Sequence, residues 1–500
     1  MKALVLLLWI STLITEAASP VMEAVRQQAP AQLKALLDGG ADPNEVQPDG
    51  STALHLAALQ GDALSAQYLI EAHANVTAVN RYGVSALWLA SRNGDAPMVQ
   101  QLLAAGADPD TRQTGGQTAL MAAARSGSLK AVEALYERGA DLDAREDRGQ
   151  TAMMWAAAHG HAEVVSWLVA QGADFRQPLR GGFTPFTFAI REGKMDVVRV
   201  LLEAGVDVNE TMSPEKRNGR SVPRGMTPLL MAVENGHFEM AIALVQAGAR
   251  PNDTSAGYAA LHAISWVRKP DHGEGVNGMP PPDTTGGLSS LDFVRQLVER
   301  GADVNLPHPK AGAGLGALNK TGATPFLLAA RTADLALLKL LHALGADPSI
   351  LTVDEVTPLI AAAGLGTLAA GEVAGTESEV LEALDWLISI GEDVNAVDAN
   401  GETAMHAAAY KNLPKVVTFL ADRGARVDVW NQPDKHGWTP LLIAEGFRPG
   451  NFKPSFETID AIHEVMAASG LRPPPLTNPD GVNNSDFGPR NRKYQAVPNP

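Results

Sequence analysis

The amino-acid sequence predicts an all-α solenoid, in which copies of one short helical repeat are stacked along the chain. Glycine recurs every 33 residues, at Gly50, Gly83, Gly116, Gly149 and Gly182. A Thr or Ser lies two residues after each of these glycines, and another glycine lies eleven residues after each. A repeat this short cannot bury its apolar face alone, whereas stacked copies bury a continuous core. The 500 residues therefore indicate one repeat array rather than several globular domains.

The segment Gly149–Gly181 (GQTAMMWAAAHGHAEVVSWLVAQGADFRQPLRG) is the template of the repeat. Thr151 is placed to cap a first helix, because hydroxyl side chains accept hydrogen bonds from the free N–H groups at helix starts. Gly160 predicts a left-handed C-cap that ends this helix. The apolar spacing of Ala162–Ala170 predicts a second, amphipathic helix. Gly-Ala-Asp then leads into a turn-rich, extended finger.

Two segments carry a family resemblance most fully: Ser51-Thr52-Ala53-Leu54-His55-Leu56-Ala57-Ala58 and Glu402-Thr403-Ala404-Met405-His406-Ala407-Ala408. With the recurring Gly-Ala-Asp-x-Asn, they resemble the ankyrin repeat. The resemblance covers roughly residues 20–470 and implies an ankyrin-repeat solenoid of about twelve helix-turn-helix units with short finger hairpins. Histidine occupies the sixth position of the repeat only at His55, His262 and His406. Elsewhere we expect one local hydrogen bond to be weakened.

The repeat spacing divides the chain into five parts. Residues 1–17 read as a signal peptide, 20–49 as an N-terminal capping repeat and 50–256 as regular repeats. Residues 257–470 continue the repeats with long loop insertions, and the Pro/Asn-rich residues 471–500 are expected to be disordered. Insertions between the helices of a repeat are expected at 268–287, 364–376 and 446–455. Finger insertions are expected at 211–224, 308–320 and 430–436.

The N-terminal segment has the composition of an export signal. Lys2 precedes an apolar run of twelve residues, Ala3–Ile14, and Ala17 offers a small residue for cleavage. We therefore expect a periplasmic or secreted protein, with no membrane span after the signal is cleaved, since a span requires about 20 apolar residues. The alternative is a cytoplasmic protein whose N-terminal run forms a buried or anchoring helix.

Net charge and cysteine usage exclude several functions. The formal charge of −16 opposes binding to nucleic acid or to an anionic membrane surface. It indicates a solubilising acidic surface, or, alternatively, a basic patch on a partner. The chain has no cysteine, which excludes disulfides, thiolate catalysis and Cys-ligated metals.

Motifs for catalysis or metal binding are weak. His159-Gly-His161 could supply two metal ligands, but ankyrin units commonly place Gly-His between their helices. Asp271, His272 and Glu274 lie in a Gly/Pro-rich loop without supporting residues, and Gly312–Gly316 neither follows a strand nor opens a helix. We expect no catalytic residue, no metal site, no cofactor and no enzymatic activity.

The resemblance implies that a partner protein binds the concave face, which the finger tips and the first helices form. The residues expected there include a run of arginines, and Arg and Tyr are frequent interface hot spots. The expected binding residues are Arg81, Tyr82, Arg92, Arg125, Arg148, His159, Arg180 and Arg191. The predicted function is a monomeric, non-catalytic protein–protein interaction scaffold, whose partner has an acidic surface.

The alternative is an exported accessory protein or enzyme with a ligand site built from the long loops of the C-terminal repeats. Convergence of a set of aromatic and histidine side chains in one deep pocket would favour that alternative, and dispersal would favour the scaffold. The set is Trp266, His272, Trp430, His436 and Trp438.

Overall fold

The computed structural model describes residues 19–215, 222–270, 282, 285–309, 311, 318–367, 373–447 and 453–477. These residues form helices, turns and two isolated β-bridges, and no strand occurs among them. The all-α prediction is therefore confirmed. The chain forms two compact units, Met1–Val206 (unit 1) and Asp207–Pro500 (unit 2).

Unit 1 contains six helix pairs, repeats 1 to 6, which are joined by fingers. Its helices are α1 Pro20–Arg26, α2 Pro30–Asp38, α3 Ala53–Gln60, α4 Ala63–Glu71, α5 Ala86–Arg92, α6 Ala96–Ala104, α7 Ala119–Ser126, α8 Leu129–Glu137, α9 Ala152–His159, α10 Ala162–Ala170, α11 Pro185–Arg191 and α12 Met195–Glu203.

The described part of unit 2 contains six further pairs, repeats 7 to 12, and one short helix, α23, within a finger. Its helices are α13 Pro228–Glu234, α14 Phe238–Gln246, α15 Ala260–Arg268, α16 Ser290–Glu299, α17 Pro325–Arg331, α18 Leu335–Ala343, α19 Pro358–Ala363, α20 Glu377–Ser389, α21 Ala404–Lys411, α22 Pro414–Asp422, α23 Val427–Trp430, α24 Pro440–Ala444 and α25 Phe456–Ala468.

The predicted caps form the ends of the first helices. In repeat 5, the Met154 N–H donates to Thr151 Oγ1 at 3.3 Å, which satisfies a free donor at the start of α9. The helix ends at Gly160, whose φ of 84° is left-handed. Ala259 has no hydroxyl, but its backbone N–H donates to His262 Nδ1 at 3.1 Å, as the Thr52 N–H does to His55 Nδ1. Local sequence chemistry therefore sets where these helices begin and end.

The core is formed by residues at equivalent positions of successive repeats. The second helices of repeats 2 to 6 each bury a leucine that has no exposed surface, and these leucines recur every 33 residues as Leu69, Leu102, Leu135, Leu168 and Leu201. The first helices contribute alanines such as Ala156 and Ala157, which are also fully buried and let α9 pack closely against α7 and α11. Burying one leucine stabilises the fold by about 1.5–3 kcal/mol. Stability therefore accumulates along the stack, repeat by repeat.

Successive fingers are tied together by backbone hydrogen bonds. The Thr114 N–H donates to Tyr82 O at 2.7 Å, and the Asp147 N–H donates to Gly115 O at 3.0 Å. Side chains of the Gly-Ala-Asp motif add to this, since Asp143 Oδ1 accepts from the Asp174 N–H at 2.8 Å. These bonds fix the finger tips in a row.

The histidines at the sixth position of the repeat, His55, His262 and His406, form more hydrogen bonds than the sequence predicts. His406 Nδ1 accepts from the Thr403 N–H at 3.2 Å, and the opposite ring nitrogen, Nε2, donates to Gln432 O in the next finger at 3.1 Å. His55 bonds in the same way to Val84 O, and His262 to Leu306 O. Each ring therefore joins two repeats as well as capping one helix, so the expectation of a purely local bond was too narrow.

The predicted insertions lie partly outside the described residues, which lack 216–221, 271–281, 283–284, 310, 312–317, 368–372 and 448–452. The described helices that flank the inter-helix insertions are α15 and α16 for 268–287, α19 and α20 for 364–376, and α24 and α25 for 446–455. The described residues of 211–224, 308–320 and 430–436 lie, in sequence, between the second helix of one repeat and the first helix of the next. The proposed signal peptide, 1–17, and residues 478–500 of the predicted tail lie outside the described residues. None of the described helices combines the length and apolarity needed to cross a bilayer.

Candidate functional site

All eight sequence-predicted binding residues are exposed on one kind of surface in unit 1. We call it the inner-helix face: the finger tips together with the exposed side of each first helix. Arg81, Tyr82, Arg148 and Arg180 lie on the fingers. Arg92, Arg125, His159 and Arg191 lie in the last turn of α5, α7, α9 and α11 respectively.

Four of the arginines lie over aromatic rings. The Arg81 guanidinium is 4.9 Å from the Tyr82 ring centroid, and that of Arg92 is 5.5 Å from Trp88. The Arg125 guanidinium is 5.0 Å from Trp155. That of Arg191 is 4.9 Å from Phe183 and 5.1 Å from Phe188. A ring against the face of a guanidinium stabilises the cation without using its N–H donors. Arg81 nevertheless donates to Tyr82 Oη at 2.8 Å, and Arg191 donates to Glu192.

Repeat 5 packs two histidines onto this surface. The His159 and His161 rings are stacked with centroids 6.2 Å apart, and His159 lies 5.9 Å from the Trp155 ring. His159 Nδ1 donates to Trp155 O and His161 Nε2 donates to Arg125 O, both at 2.9 Å. One nitrogen of each ring is thus used in a backbone hydrogen bond. No group of three or more potential metal ligands occurs among the described residues.

Arg148 and Arg180 differ from the other arginines. Neither guanidinium lies over an aromatic ring or forms an ion pair within the part of the chain that the structure describes. Arg191 forms an ion pair with Glu192 at 2.8 Å, which partly offsets its charge. The free positive charge of this face is therefore concentrated on Arg81, Arg92, Arg125, Arg148 and Arg180.

Sequence reasoning included Tyr82 but missed Trp88 and Trp155, the rings that lie under Arg92 and Arg125. Trp88 precedes Arg92 by four residues, a spacing that places two side chains on one helix face, so this pair could have been found. Trp155 follows Arg125 by 30 residues and reaches it only because α7 packs against α9. The indole N–H groups of Trp88 and Trp155 are buried and have no hydrogen-bond acceptor.

Family comparisons agree with this architecture. A model described as "Ankyrin repeats (3 copies)" matches residues 21–113, 120–212 and 372–451, which together exceed half of the chain. A second, "Ankyrin repeats (many copies)", matches residues 186–245. The chain belongs to the ankyrin repeat family. Ankyrin repeats generally mediate protein–protein interaction.

Several curated proteins are similar over short stretches. An ankyrin repeat and KH domain-containing protein of Caenorhabditis briggsae is 30% identical over 156 residues, which are 28% of this chain and 5% of that protein. An ankyrin repeat protein of Fowlpox virus is 51% identical over 45 residues, 9% of this chain and 10% of its own. The Arabidopsis thaliana potassium channel AKT1 is 34% identical over 84 residues, 16% and 10% respectively. The chain thus spans no more than a tenth of each relative.

The C-terminal ankyrin repeats do not gather the proposed ligand-site residues in one place within the described structure. These residues are Trp266, His272, Trp430, His436 and Trp438. Trp266 contacts Tyr258, whereas His436 stacks on Trp438 with centroids 4.7 Å apart, and no described ring contact joins these two pairs. Trp430 is buried in the core, with 2% of its surface exposed. His272 lies outside the described residues.

Repeats 11 and 12 contain a buried cluster of carboxyl groups. Asp398, Glu402 and Asp434 are each less than a tenth exposed. Burial, together with the charges of Asp398 and Asp434, raises the pKa of Glu402 to about 8. Burial also raises the pKa of Asp398 and that of Asp434, although each accepts backbone hydrogen bonds that oppose the shift. This cluster favours protonation, so it makes repeats 11 and 12 sensitive to pH.

Proposed function

We propose that the protein is a non-catalytic interaction scaffold that binds an acidic segment of another protein on the inner-helix face of unit 1. The observation that carries the proposal is the row of exposed arginines, four of which lie over aromatic rings between the finger before repeat 3 and repeat 6. A guanidinium held in this way offers a planar pair of donors to a carboxylate. Aromatic and Arg side chains are also the residues that dominate binding energy at protein interfaces.

The charge distribution supports an acidic partner. The chain carries −16 overall, yet this face presents arginines in successive repeats. The acidic remainder of the protein surface repels an acidic partner, whereas the arginines of the inner-helix face attract it. This difference favours one binding orientation. Nucleic acid carries negative charge over a long length, so the net charge opposes its binding.

The proposal includes export to the periplasm or outside the cell as a monomer. It rests on the N-terminal sequence, with Lys2 before the apolar run Ala3–Ile14. Sequencing the N-terminus of the protein purified from its native source tests export. A mature chain that begins near Ala18 supports the signal peptide, and an intact Met1 favours the cytoplasmic alternative.

A charge-reversal experiment tests the binding face. The triple variant Arg81→Glu, Arg125→Glu and Arg148→Glu changes three exposed cations of the face. A matched control, Lys34→Glu, Lys130→Glu and Arg199→Glu, changes three exposed cations of second helices by the same total charge. Binding of a fluorescein-labelled peptide with alternating Glu and Ala is measured by anisotropy. A pull-down from the native extracytoplasmic fraction is run in parallel.

We expect the first variant to lose peptide binding and recovery of the partner, while the control retains most of both. Equal binding by the wild type and the first variant would overturn the proposal. A comparable loss in both variants would show a response to net charge alone, which also contradicts a specific face.

A further inference from the structure

Repeats 7 to 9 form a second chemically distinct surface, in unit 2. The Tyr258 and Trp266 rings meet edge to face with centroids 5.0 Å apart. The His308 ring lies 6.5 Å from Tyr258 at an interplanar angle of 27°, and 5.2 Å from His262. Four rings therefore contact one another in the order Trp266, Tyr258, His308 and His262. Tyr258 and Trp266 are partly exposed, whereas His262 and His308 are buried.

A carboxyl group lies against this series. Tyr258 Oη donates to Glu234 Oε1 at 2.6 Å. The Trp266 side chain is also near this carboxyl group, and its influence, like that of Tyr258, opposes the rise that burial causes in the pKa of Glu234. Glu234 forms no ion pair within the described residues. Its burial raises its pKa, because the charged form is poorly solvated there. The Tyr258 hydroxyl orients the carboxyl group but brings no positive charge to it.

The position of Glu234 in its repeat is informative. It lies nine residues after the repeat glycine Gly225, the position that Arg92, Arg125 and Arg191 occupy in their repeats. Repeat 7 therefore carries a carboxyl group at the position where repeats 3, 4 and 6 carry an arginine. Tyr258, Trp266 and His308 lie outside the ranges that the family models match.

The chemistry of this surface suits a cation. Faces of Trp and Tyr attract ammonium and guanidinium groups, and a carboxylate adds a charged acceptor. Trp266 already receives one cation of the chain, since Lys320 Nζ is 5.8 Å from its ring centroid. The histidines add no competing charge at neutral pH, because burial lowers the pKa of His262 to about 4 and also lowers that of His308.

We propose that Glu234, Tyr258 and Trp266 form a receptor for the guanidinium or ammonium group of a basic side chain on a partner protein. The incoming group lies against the two rings and pairs with the Glu234 carboxylate. This receptor is separate from the arginine row of unit 1, and its partner residue has the opposite charge. It is independent of the acidic-segment proposal, so either can fail without the other.

The test follows Trp266 directly in the full-length chain. The eight tryptophans are labelled as 5-fluorotryptophan, and Trp266→Phe assigns the ¹⁹F resonance of Trp266. The probes are the N-acetyl amides of arginine and of lysine, with those of glutamine and glutamate as neutral and acidic controls. Choline represents a free small-molecule cation. We expect the arginine or lysine probe to shift the Trp266 resonance saturably, and the neutral and acidic probes to leave it unmoved.

Glu234→Gln separates binding from structure, because glutamine still accepts a hydrogen bond from Tyr258. We expect it to weaken binding of the basic probe about tenfold, as loss of a charge-assisted contact does. Glu299→Gln, a substitution of an exposed glutamate on α16, should not change binding. Lys320→Met should strengthen binding severalfold, because it removes a cation that repels the probe.

The pH dependence gives an independent readout. A bound cation favours the ionised Glu234, so binding should strengthen as pH rises through the raised pKa of this group, with one proton released. Tyr258, His262, His308 and Lys320 are the other titratable groups of the surface, and Glu234→Gln should abolish the dependence if Glu234 is responsible. Absence of a saturable shift with either basic probe, an unchanged affinity in Glu234→Gln, or binding of choline alone would each overturn the proposal.

Discussion

The Arg125 guanidinium lies 5.0 Å from the ring centroid of Trp155, although the two residues belong to different ankyrin repeats. Arg125 is on α7 and Trp155 is on α9, and the backbone carbonyl of Arg125 also accepts a hydrogen bond from His161 Nε2. One repeat therefore supplies the cation and the next supplies its platform. The binding face depends on the stacking of repeats as well as on the residues of any one of them.

Replacing the platform should weaken binding without removing a charge. We expect Trp155→Leu to lower the affinity for the alternating Glu-Ala peptide about threefold, since a cation–π contact at an exposed site is worth roughly 0.5–1 kcal/mol. Trp155→Phe retains a ring under Arg125 and loses no hydrogen bond, because the indole N–H has no acceptor. Fluorescence anisotropy measures both variants. Equal affinities for Trp155→Leu and Trp155→Phe would contradict a role for the ring.

Acid should destabilise the repeats that contain buried histidines. His406 Nδ1 accepts a backbone hydrogen bond, so a proton at that atom would face a donor, and burial lowers the pKa of His406 to about 4. The unfolded chain takes up this proton near pH 6.5 and the folded chain only near pH 4. Stability present above pH 6.5 is therefore lost as pH falls towards 4, by up to about 3 kcal/mol for this residue.

Hydrogen exchange on α21 and α22 at a series of pH values measures this loss. His406→Leu should remove most of the dependence in that window, although it lowers stability at neutral pH by breaking the bond to Gln432. His73→Asn, at an exposed histidine, is the control. An unchanged pH profile in His406→Leu would show that other groups cause the acid sensitivity.

Glu402 should have the opposite effect from His406, because it destabilises the fold as the pH rises. Its folded pKa is about 8 and its ordinary value is 4.5, so its contribution to stability is complete below pH 4.5. That contribution is lost as pH rises to about 8, because the unfolded chain ionises first. We expect Glu402→Gln to raise the free energy of unfolding of repeats 11 and 12 at pH 8 by about 2–4 kcal/mol.

At pH 4 the same substitution should change the stability very little, which provides an internal control. Local hydrogen exchange in α21 and α22 again gives the free energies. If Glu402→Gln instead lowered the free energy of unfolding at pH 8, the prediction would be wrong, because the ionised carboxylate would then stabilise the fold.

A buried ion pair joins repeats 8 and 9. Arg268 Nε donates to Asp334 Oδ2 at 2.6 Å, and Asp334 is only 2% exposed. Removing the cation in Arg268→Met should destabilise unit 2 by about 3–5 kcal/mol, because it leaves a buried charge without a partner. Adding Asp334→Asn should recover part of that loss, since asparagine is neutral and can still cap α18. Chemical denaturation compares these variants, and a double variant no more stable than Arg268→Met would rule out the charge as the cause.

Much of the fold could be predicted from the sequence because its determinants are local. Thr151 and Gly160 begin and end a helix through bonds within a few residues, and the same pattern occurs in repeat after repeat. The exposed positions Arg92 and Arg125 follow from the register of the helix on which they lie. The support that Trp155 gives to Arg125 could not be predicted in this way, because it requires the distance between two neighbouring helices.

The helix pairs, their order and the positions of the insertions could be read from local sequence, since capping and apolar spacing act over a single repeat. Which side chains meet between separate parts of the chain depends on how the repeats pack. His406 reaches Gln432, and Arg268 reaches Asp334, only after stacking brings separate parts of the chain within bonding distance. Glu234 likewise acquires its aromatic surroundings from the next repeats. Contacts of this kind depend on the distances between packed helices and fingers, which cannot be predicted from the sequence of a single repeat.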